Sequence, residues 1–379
     1  MSKQIPGESY FKNSHHSLND SLRFISFLII PFITLISFYQ ITEKKFLKNS
    51  HHILKYNFKN TQSDYDLLNK YFFIYLIFII FEFFTLDFSK FNFNIDIFHE
   101  GLWLSASQNS KFSGEFFSSS YVTRGFFGNF HPYFIWKIFN LETIGSVRFF
   151  HLVIILLNKV ILLLIAKKIT EFVNLSLSLK IIFFTLLSIS FLFFTSYGEP
   201  IFIIRTFLLL LYVLILFHFL KFYDSKKNII ILSILTSLSI FWFVDIGAYI
   251  ILITLILAVF FLIRLEFKNF ALLLLPIIFT WTTFFFIFPS GFEIFFENTL
   301  LVISTIEYIQ GLIYPTPFSG DFRSTRALMM FLLSGVLIIY LVKNLNHKDS
   351  LFLISIIFLF FIGVIHFKYG LSRSDSSHI

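Results

Sequence analysis

The segment Asn94-Ile95-Asp96-Ile97-Phe98-His99-Glu100-Gly101 opens the one long polar interval in a chain otherwise built of apolar runs. The interval closes at Ser146-Val147-Arg148, where the next apolar run begins. The runs are about 17–22 residues long, and a helix of about 20 residues crosses the hydrocarbon core of a bilayer. The flanking runs therefore bring both ends of the interval to one membrane surface, and residues 89–148 read as a large folded loop outside the bilayer. Composition agrees. Of 379 residues, 56% are hydrophobic and only 14% charged, with mean hydropathy +0.80; globular domains carry roughly 25% charged residues. Solid apolar blocks also argue against a membrane β-barrel, whose strands alternate over about ten residues. The fold class read from the sequence is all-α and polytopic.

Other compositional features bound the chemistry. The 60 Phe residues accompany abundant Ile, Asn and Lys, as an AT-rich coding sequence would produce, so they do not by themselves indicate an aromatic ligand site. The chain has no cysteine, which excludes disulfides, thiolate metal sites and a cysteine nucleophile. The net charge of +8 comes mostly from basic stretches between apolar runs and implies no nucleic-acid partner. The first 20 residues are polar and do not read as a signal peptide.

Outward from the loop, the apolar runs fall at about 23–40, 71–88, 149–166, 181–197, 200–220, 229–244, 247–263, 270–289, 327–342 and 351–366, which makes about ten spans. The segment Glu43–Lys70 holds Lys44, Lys45, Lys48, Lys55, Lys59 and Lys70, and the positive-inside rule places it in the cytoplasm. The run at 71–88 then carries the chain outward. Counting on, Lys167/Lys168, Lys221/Lys226/Lys227, Arg264/Lys268 and Lys343/Lys348 all land on the cytoplasmic side. Glu199, Asp245, the interval Ser290–Arg326 and the C-terminal tail fall outside. Residues 1–70 thus form an N-terminal span with a basic cytoplasmic loop, and 71–379 a multi-span domain. The first span, with Pro31 near its middle, leaves the N-terminus outside despite Lys3, Lys12 and Arg23; a re-entrant segment fits as well. The tail after Tyr369 is polar and motif-like, and reads equally as the start of a further loop in a longer chain or as a frayed end.

Asp96, His99 and Glu100 stand at i, i+3 and i+4, one face if the segment is helical. A carboxylate beside a membrane-facing cavity can act as a general base. Trp103 suits an interface anchor or a platform for a sugar ring. The zinc-protease pattern fails, because no second histidine follows His99 four residues on, and no phosphate-binding glycine loop is present. No cofactor is called for, though Asp96 and Glu100 leave a divalent cation open. Further along, Arg124 and Arg148 have the fork geometry that holds a phosphate, and His131 lies in the same interval. Arg148, at headgroup depth, reads first as a snorkelling side chain. Asp245 ends a span, where an ionisable group is costly unless hydrated or paired. Glu199 reads first as a turn residue, and Arg205 as its ion-pair partner.

The segments Asp96-Ile97-Phe98-His99-Glu100-Gly101 after an early span, Gly125-Phe126-Phe127-Gly128-Asn129 in the loop, Asp245-Ile246-Gly247 between spans, and Arg373-Ser374-Asp375-Ser376-Ser377-His378 after the last resemble the GT-C superfamily. These are integral-membrane glycosyltransferases that use polyprenyl-phosphate-linked sugars. The resemblance covers the chain from about residue 71 and rests on motifs of modest specificity. It implies an inverting transfer in which Asp96 deprotonates an acceptor hydroxyl, with Glu100 and His99 in support. Arg124, His131, Arg148, Asp245, Arg373, Asp375 and His378 would line the substrate site. The acceptor would be a glycan, lipid or protein, and the membrane the bacterial plasma membrane, with the site on the exterior or periplasmic face. Two departures are visible: family members continue into a further C-terminal portion, and the N-terminal span has no counterpart. A multi-span transporter or lipid flippase is the alternative. It calls for polar or broken helices near the midplane, whereas the spans read as uninterrupted.

Overall fold

The computed structural model describes residues 62–85, 94–95, 99–118, 120, 122, 124–172, 176–194, 200–222, 225–263, 265–310, 325, 328–329, 332–338, 360 and 363. The chain divides into a unit spanning Phe58–Val302 and a second unit taking in Met1–Asn57 and Ile303–Ile379. Among the described residues there are helices and no strands. In order they are α1 (Gln62–Phe84), α2 (His99–Ser113), α3 (Phe126–Phe139), α4 (Ile144–Phe172) and α5 (Leu177–Phe194), then α6 (Pro200–Lys221), α7 (Lys226–Trp242), α8 (Val244–Ile263), α9 (Phe267–Ile287) and α10 (Pro289–Gln310). Among the described residues, five stretches are long and apolar enough to cross a bilayer: Asp66–Phe84, Ile144–Phe172, Ile204–Lys221, Val244–Leu262 and Phe267–Ile287. This is the architecture of a polytopic α-helical membrane protein. The first span, part of 327–342 and nearly all of 351–366 fall outside the described residues.

Ion pairs and hydrogen bonds fix how the helices run. Lys167 bonds Asn69 and Lys159 bonds Glu82, so α1 rises as α4 descends. Lys221 reaches Glu171 at 2.7 Å, which brings the C-termini of α4 and α6 together. With Lys168 also on Glu171 at 3.3 Å, this end of the bundle is a lysine end. At the other end Arg205 of α6 pairs with Asp245 of α8, and Trp242 donates to the Ile204 carbonyl at 3.2 Å. Away from their neighbours, α1 and α9 expose large apolar side chains such as Phe78, Phe81, Phe279 and Phe286. Such faces suit lipid, where packing and interhelical hydrogen bonds, rather than burial from water, hold helices together.

The middle helix is α7, and its small hydroxyl residues explain its place. Ser233, Thr236, Ser237 and Ser239 are buried. Ser233 donates to the Leu273 carbonyl of α9 at 2.5 Å, and Thr236 meets Thr254 of α8 at 2.7 Å, which in turn meets Tyr212 of α6 at 2.9 Å. Small side chains let backbones approach, and Thr236, Ser237 and Thr254 each also satisfy themselves on the carbonyl four residues back. The approach is closest at the α7–α8 corner. A Cβ on Gly247 would lie 2.6 Å from the Ile240 backbone, so only glycine fits there.

Three sequence expectations need correction. The interval 94–148, read as one folded loop between spans, holds the helices α2 and α3, and α4 begins at Ile144, ahead of the expected Phe149. The interval after Ser290, expected outside the membrane as a polar stretch, opens in a 22-residue helix, α10, whose Phe295 is fully buried against the α2–α3 region. Finally, the spans are not uninterrupted. Glu82 interrupts α1, and Asn158 and Lys159 are buried within α4.

Candidate functional site

The site is built on the helical pair α2 and α3, seated at the arginine end. Helix α2 starts at His99 with Glu100 in its first turn, where an acid suits the positive end of the helix dipole. It stops at Gly114, which takes φ +75°. Gly125, at φ +106°, then turns the chain into α3. A Cβ there would sit 3.0 Å from the Phe243 Cα, so the turn presses against the α7–α8 corner. The Val244 N–H donates to the Arg124 carbonyl at 3.1 Å, and Phe127 stacks on Trp242 at 4.1 Å. Beneath lies an aromatic bed of Phe116, Phe117, Phe126, Phe130, Phe241, Trp281 and Phe295.

Glu100, Trp103 and Ser107 recur at helical spacing along α2 and face α3 and α4 in successive layers. In the first, Arg148 Nε donates to Glu100 Oε1 at 2.8 Å and Arg148 Nη2 to Oε2 at 2.7 Å. The same Nη2 donates to the Asn94 carbonyl at 3.2 Å. In the second, Trp103 lies 5.1 Å from the His131 ring and 5.4 Å from the His151 ring. In the third, the buried Ser107 hydroxyl donates to the Asn129 carbonyl at 3.3 Å.

The two imidazoles meet through their Nε2 atoms at 2.8 Å. His131 Nδ1 faces the Phe127 carbonyl at 3.1 Å, and a carbonyl only accepts, so Nδ1 carries the proton. A neutral imidazole carries one, so His131 Nε2 is the acceptor and His151 Nε2 donates to it. Burial pushes the His131 imidazole down to about 4; the Phe127 and Gly128 carbonyls pull the other way, and the Arg124 charge adds to the fall. Pro132 contributes here, because it has no N–H to offer the Gly128 carbonyl within α3. Trp103 is 2% exposed, and its indole Nε1 is buried with no acceptor among the described residues.

The sequence candidates separate accordingly. Glu100 and Arg148 come together as one largely buried ion pair, in which both carboxylate oxygens are engaged. Arg148 therefore does not snorkel to lipid. His131 lies inside the α2–α3–α4 seam, and Trp103 is neither an interface anchor nor an open sugar platform. Asp245 pairs with Arg205, whose guanidinium also lies 5.7 Å over the Phe243 ring; Arg205 is thus ion-paired as expected, but to Asp245. Arg124 stands at the entry to α3. His99 begins α2. Asp96, Glu199, Arg373, Asp375 and His378 lie outside the described residues. Among the described residues no three His, Asp or Glu side chains gather to hold a metal ion. Sequence reading passed over His151, Glu82 and Lys159. His151 stands one turn after Arg148 on the same helix, and that spacing was its signal.

Comparison with protein-family models, with curated proteins and with solved structures finds no match to this chain.

Proposed function

We propose that the chain is a membrane glycosyltransferase of the GT-C kind, acting at the arginine end of the bundle. One observation carries the reading. The polar interval that follows α1 folds as two short helices docked across one end of an apolar bundle, the end that carries the Arg148–Glu100 pair, the Arg205–Asp245 pair and Arg124 at the entry to α3. A sugar donor on a long prenyl chain enters sideways from lipid, so its phosphate reaches such an end at headgroup depth. On the positive-inside count the lysine end faces the cytoplasm and the arginine end the exterior, in a chain of about ten spans. The proposed setting is the bacterial plasma membrane.

The chemistry is a single inverting displacement. The acceptor hydroxyl oxygen attacks the anomeric carbon, its proton passes to the Asp96 carboxylate, and the bond from that carbon to the phosphate oxygen breaks. The electron pair leaves with polyprenyl phosphate, whose charge Arg124 would receive. Glu100 is the weaker choice of base, since Arg148 engages both its oxygens. The test is Asp96→Asn, assayed against polyprenyl-phosphate-linked glucose, mannose, galactose and arabinose. Transfer is expected to vanish while expression and membrane insertion persist; retained transfer would remove Asp96 as the base.

A transporter or lipid flippase draws on a different observation, the Lys159–Glu82 pair within the apolar helices α4 and α1, where ionisable groups often mark a path. A reconstituted chain that moves fluorescent prenyl phosphate across vesicles, and loses that movement with Lys159→Met but not Asp96→Asn, would favour it.

A further inference from the structure

At the lysine end two helices stop together, and their last turns set like charges side by side. The apolar stretches Ile144–Phe172 of α4 and Ile204–Lys221 of α6 both finish here, so these turns lie where hydrocarbon gives way to lipid headgroups. Glu171 of α4 is buried, and its Oε2 takes Lys168 Nζ at 3.3 Å and Lys221 Nζ at 2.7 Å. Two ammoniums from different helices therefore meet over a single carboxylate oxygen. Lys167, next in the chain, bonds the neutral Asn69 amide and lies 5.4 Å over the Phe72 ring. Glu171 thus supplies one negative charge to three neighbouring lysines. Neither Lys168 nor Lys221 is a freely solvated surface charge, because both side chains are largely buried. Apolar surface adjoins them. Lys221 lies 5.6 Å over the half-exposed Phe222 ring, and α5, which begins at this end, exposes Leu179 and Ile182.

We propose that the Lys168–Lys221 pair is a binding site for one anionic phospholipid of the cytoplasmic leaflet, whose headgroup phosphate bridges α4 and α6. A phosphate diester has two unesterified oxygens, one for each ammonium, and basic pockets between helices on the cytoplasmic side suit such headgroups. The lipid must bring no cation of its own. Phosphatidylglycerol meets that condition, whereas phosphatidylcholine carries a quaternary ammonium that the lysines repel. Phe222, Leu179 and Ile182 give its acyl chains a surface to follow. The site lies at the opposite end of the bundle from the proposed transfer reaction and stands whether or not that reaction occurs.

The test uses the full chain in a neutral detergent, with native mass spectrometry reading the dissociation constant of the first lipid bound. Phosphatidylglycerol is expected to bind at least about tenfold tighter than phosphatidylcholine, the worth of one charge-assisted hydrogen bond. Lys168→Gln leaves Lys221 to hold Glu171, so no buried carboxylate is orphaned. It is expected to weaken phosphatidylglycerol about tenfold and phosphatidylcholine by less than about twofold. The neutral set Lys168→Gln/Glu171→Gln/Lys221→Gln removes both lysines with their acid and is expected to abolish the preference; whichever variant extracts as a monodisperse species decides. Lys227→Gln, at an exposed position of α7 at the same end, is expected to change nothing beyond about twofold. Equal binding of the two lipids by the parent overturns the site, as does a preference that survives in the variants. An equal loss in Lys227→Gln also overturns it, since diffuse attraction to a basic face would then suffice. Inorganic phosphate that displaces phosphatidylglycerol at matching concentration would make this a site for a soluble anion and overturn the lipid assignment.

Discussion

A neutral imidazole sealed inside a helical seam has a definite pH signature. His131 titrates near 4 in the folded chain, below the roughly 6.5 of an exposed imidazole. Between those values the unfolded chain binds more protons, so stability increases with pH across that window. The penalty for keeping this imidazole neutral is absent above about pH 6.5, grows as pH falls, and reaches a loss of roughly 3 kcal/mol of stability once pH is below about 4. Thermal unfolding of the detergent-solubilised protein should show a midpoint that drops between pH 7 and 4.5. His131→Gln should flatten that slope, and an equal slope in both proteins would show that other groups set it. The Lys159–Glu82 pair gives a second residue-scale expectation, because its partners are unequally buried: side-chain exposure is 3% for Lys159 and 46% for Glu82. Glu82→Gln leaves a buried ammonium without its carboxylate, whereas Lys159→Met leaves a carboxylate with access to its surroundings. Glu82→Gln is expected to destabilise more, by roughly 1 kcal/mol or above, in unfolding measurements on the two variants.

Between elements, close approach governs the geometry of the arginine end. The α7–α8 corner holds Asp245 against Arg205, and Gly125 lets the start of α3 rest on that corner. Gly247→Ala would drive a methyl into the Ile240 backbone and is expected to cost about 1–3 kcal/mol, read as a lowered midpoint of thermal unfolding. An unchanged midpoint would show that the corner can open. The apolar helices were legible in the sequence because run length alone dictates them. The expected 200–220 and the observed Pro200–Lys221 differ by a single residue. Helices α2, α3 and α10 were not legible as elements. Their polar residues, such as Gln108 and Asn109 in α2 or Glu293 and Glu297 in α10, resemble loop chemistry when no apolar run surrounds them. The candidate site was legible as a set of residue types but not as pairs. That Glu100 meets Arg148, or His131 meets His151, depends on how α2 and α3 fold back on α4, and spacing along the chain carries no record of that.

For the whole molecule, the decisive property is which end faces which compartment. The two ends differ in chemistry: Lys167, Lys168 and Lys221 gather with Glu171 at one, and arginines paired with acids at the other. Insertion machinery retains lysine-rich ends in the cytoplasm, so the lysine end should stay there and the arginine end should cross. Single cysteines test this cleanly in a chain that has none. Position matters, because Ser107, though central to the polar interval, is fully buried and would resist labelling on either side. Asn109 of α2 and Lys227 of α7 are both exposed and lie at opposite ends. In intact cells a membrane-impermeant maleimide should modify Asn109→Cys, and should reach Lys227→Cys only after permeabilisation. The reverse pattern would put the α2–α3 pair in the cytoplasm, where a donor would have to present its phosphate in the inner leaflet. The exterior-facing reaction would then be untenable, although the Glu100–Arg148 ion pair, which depends only on contacts within the fold, would stand.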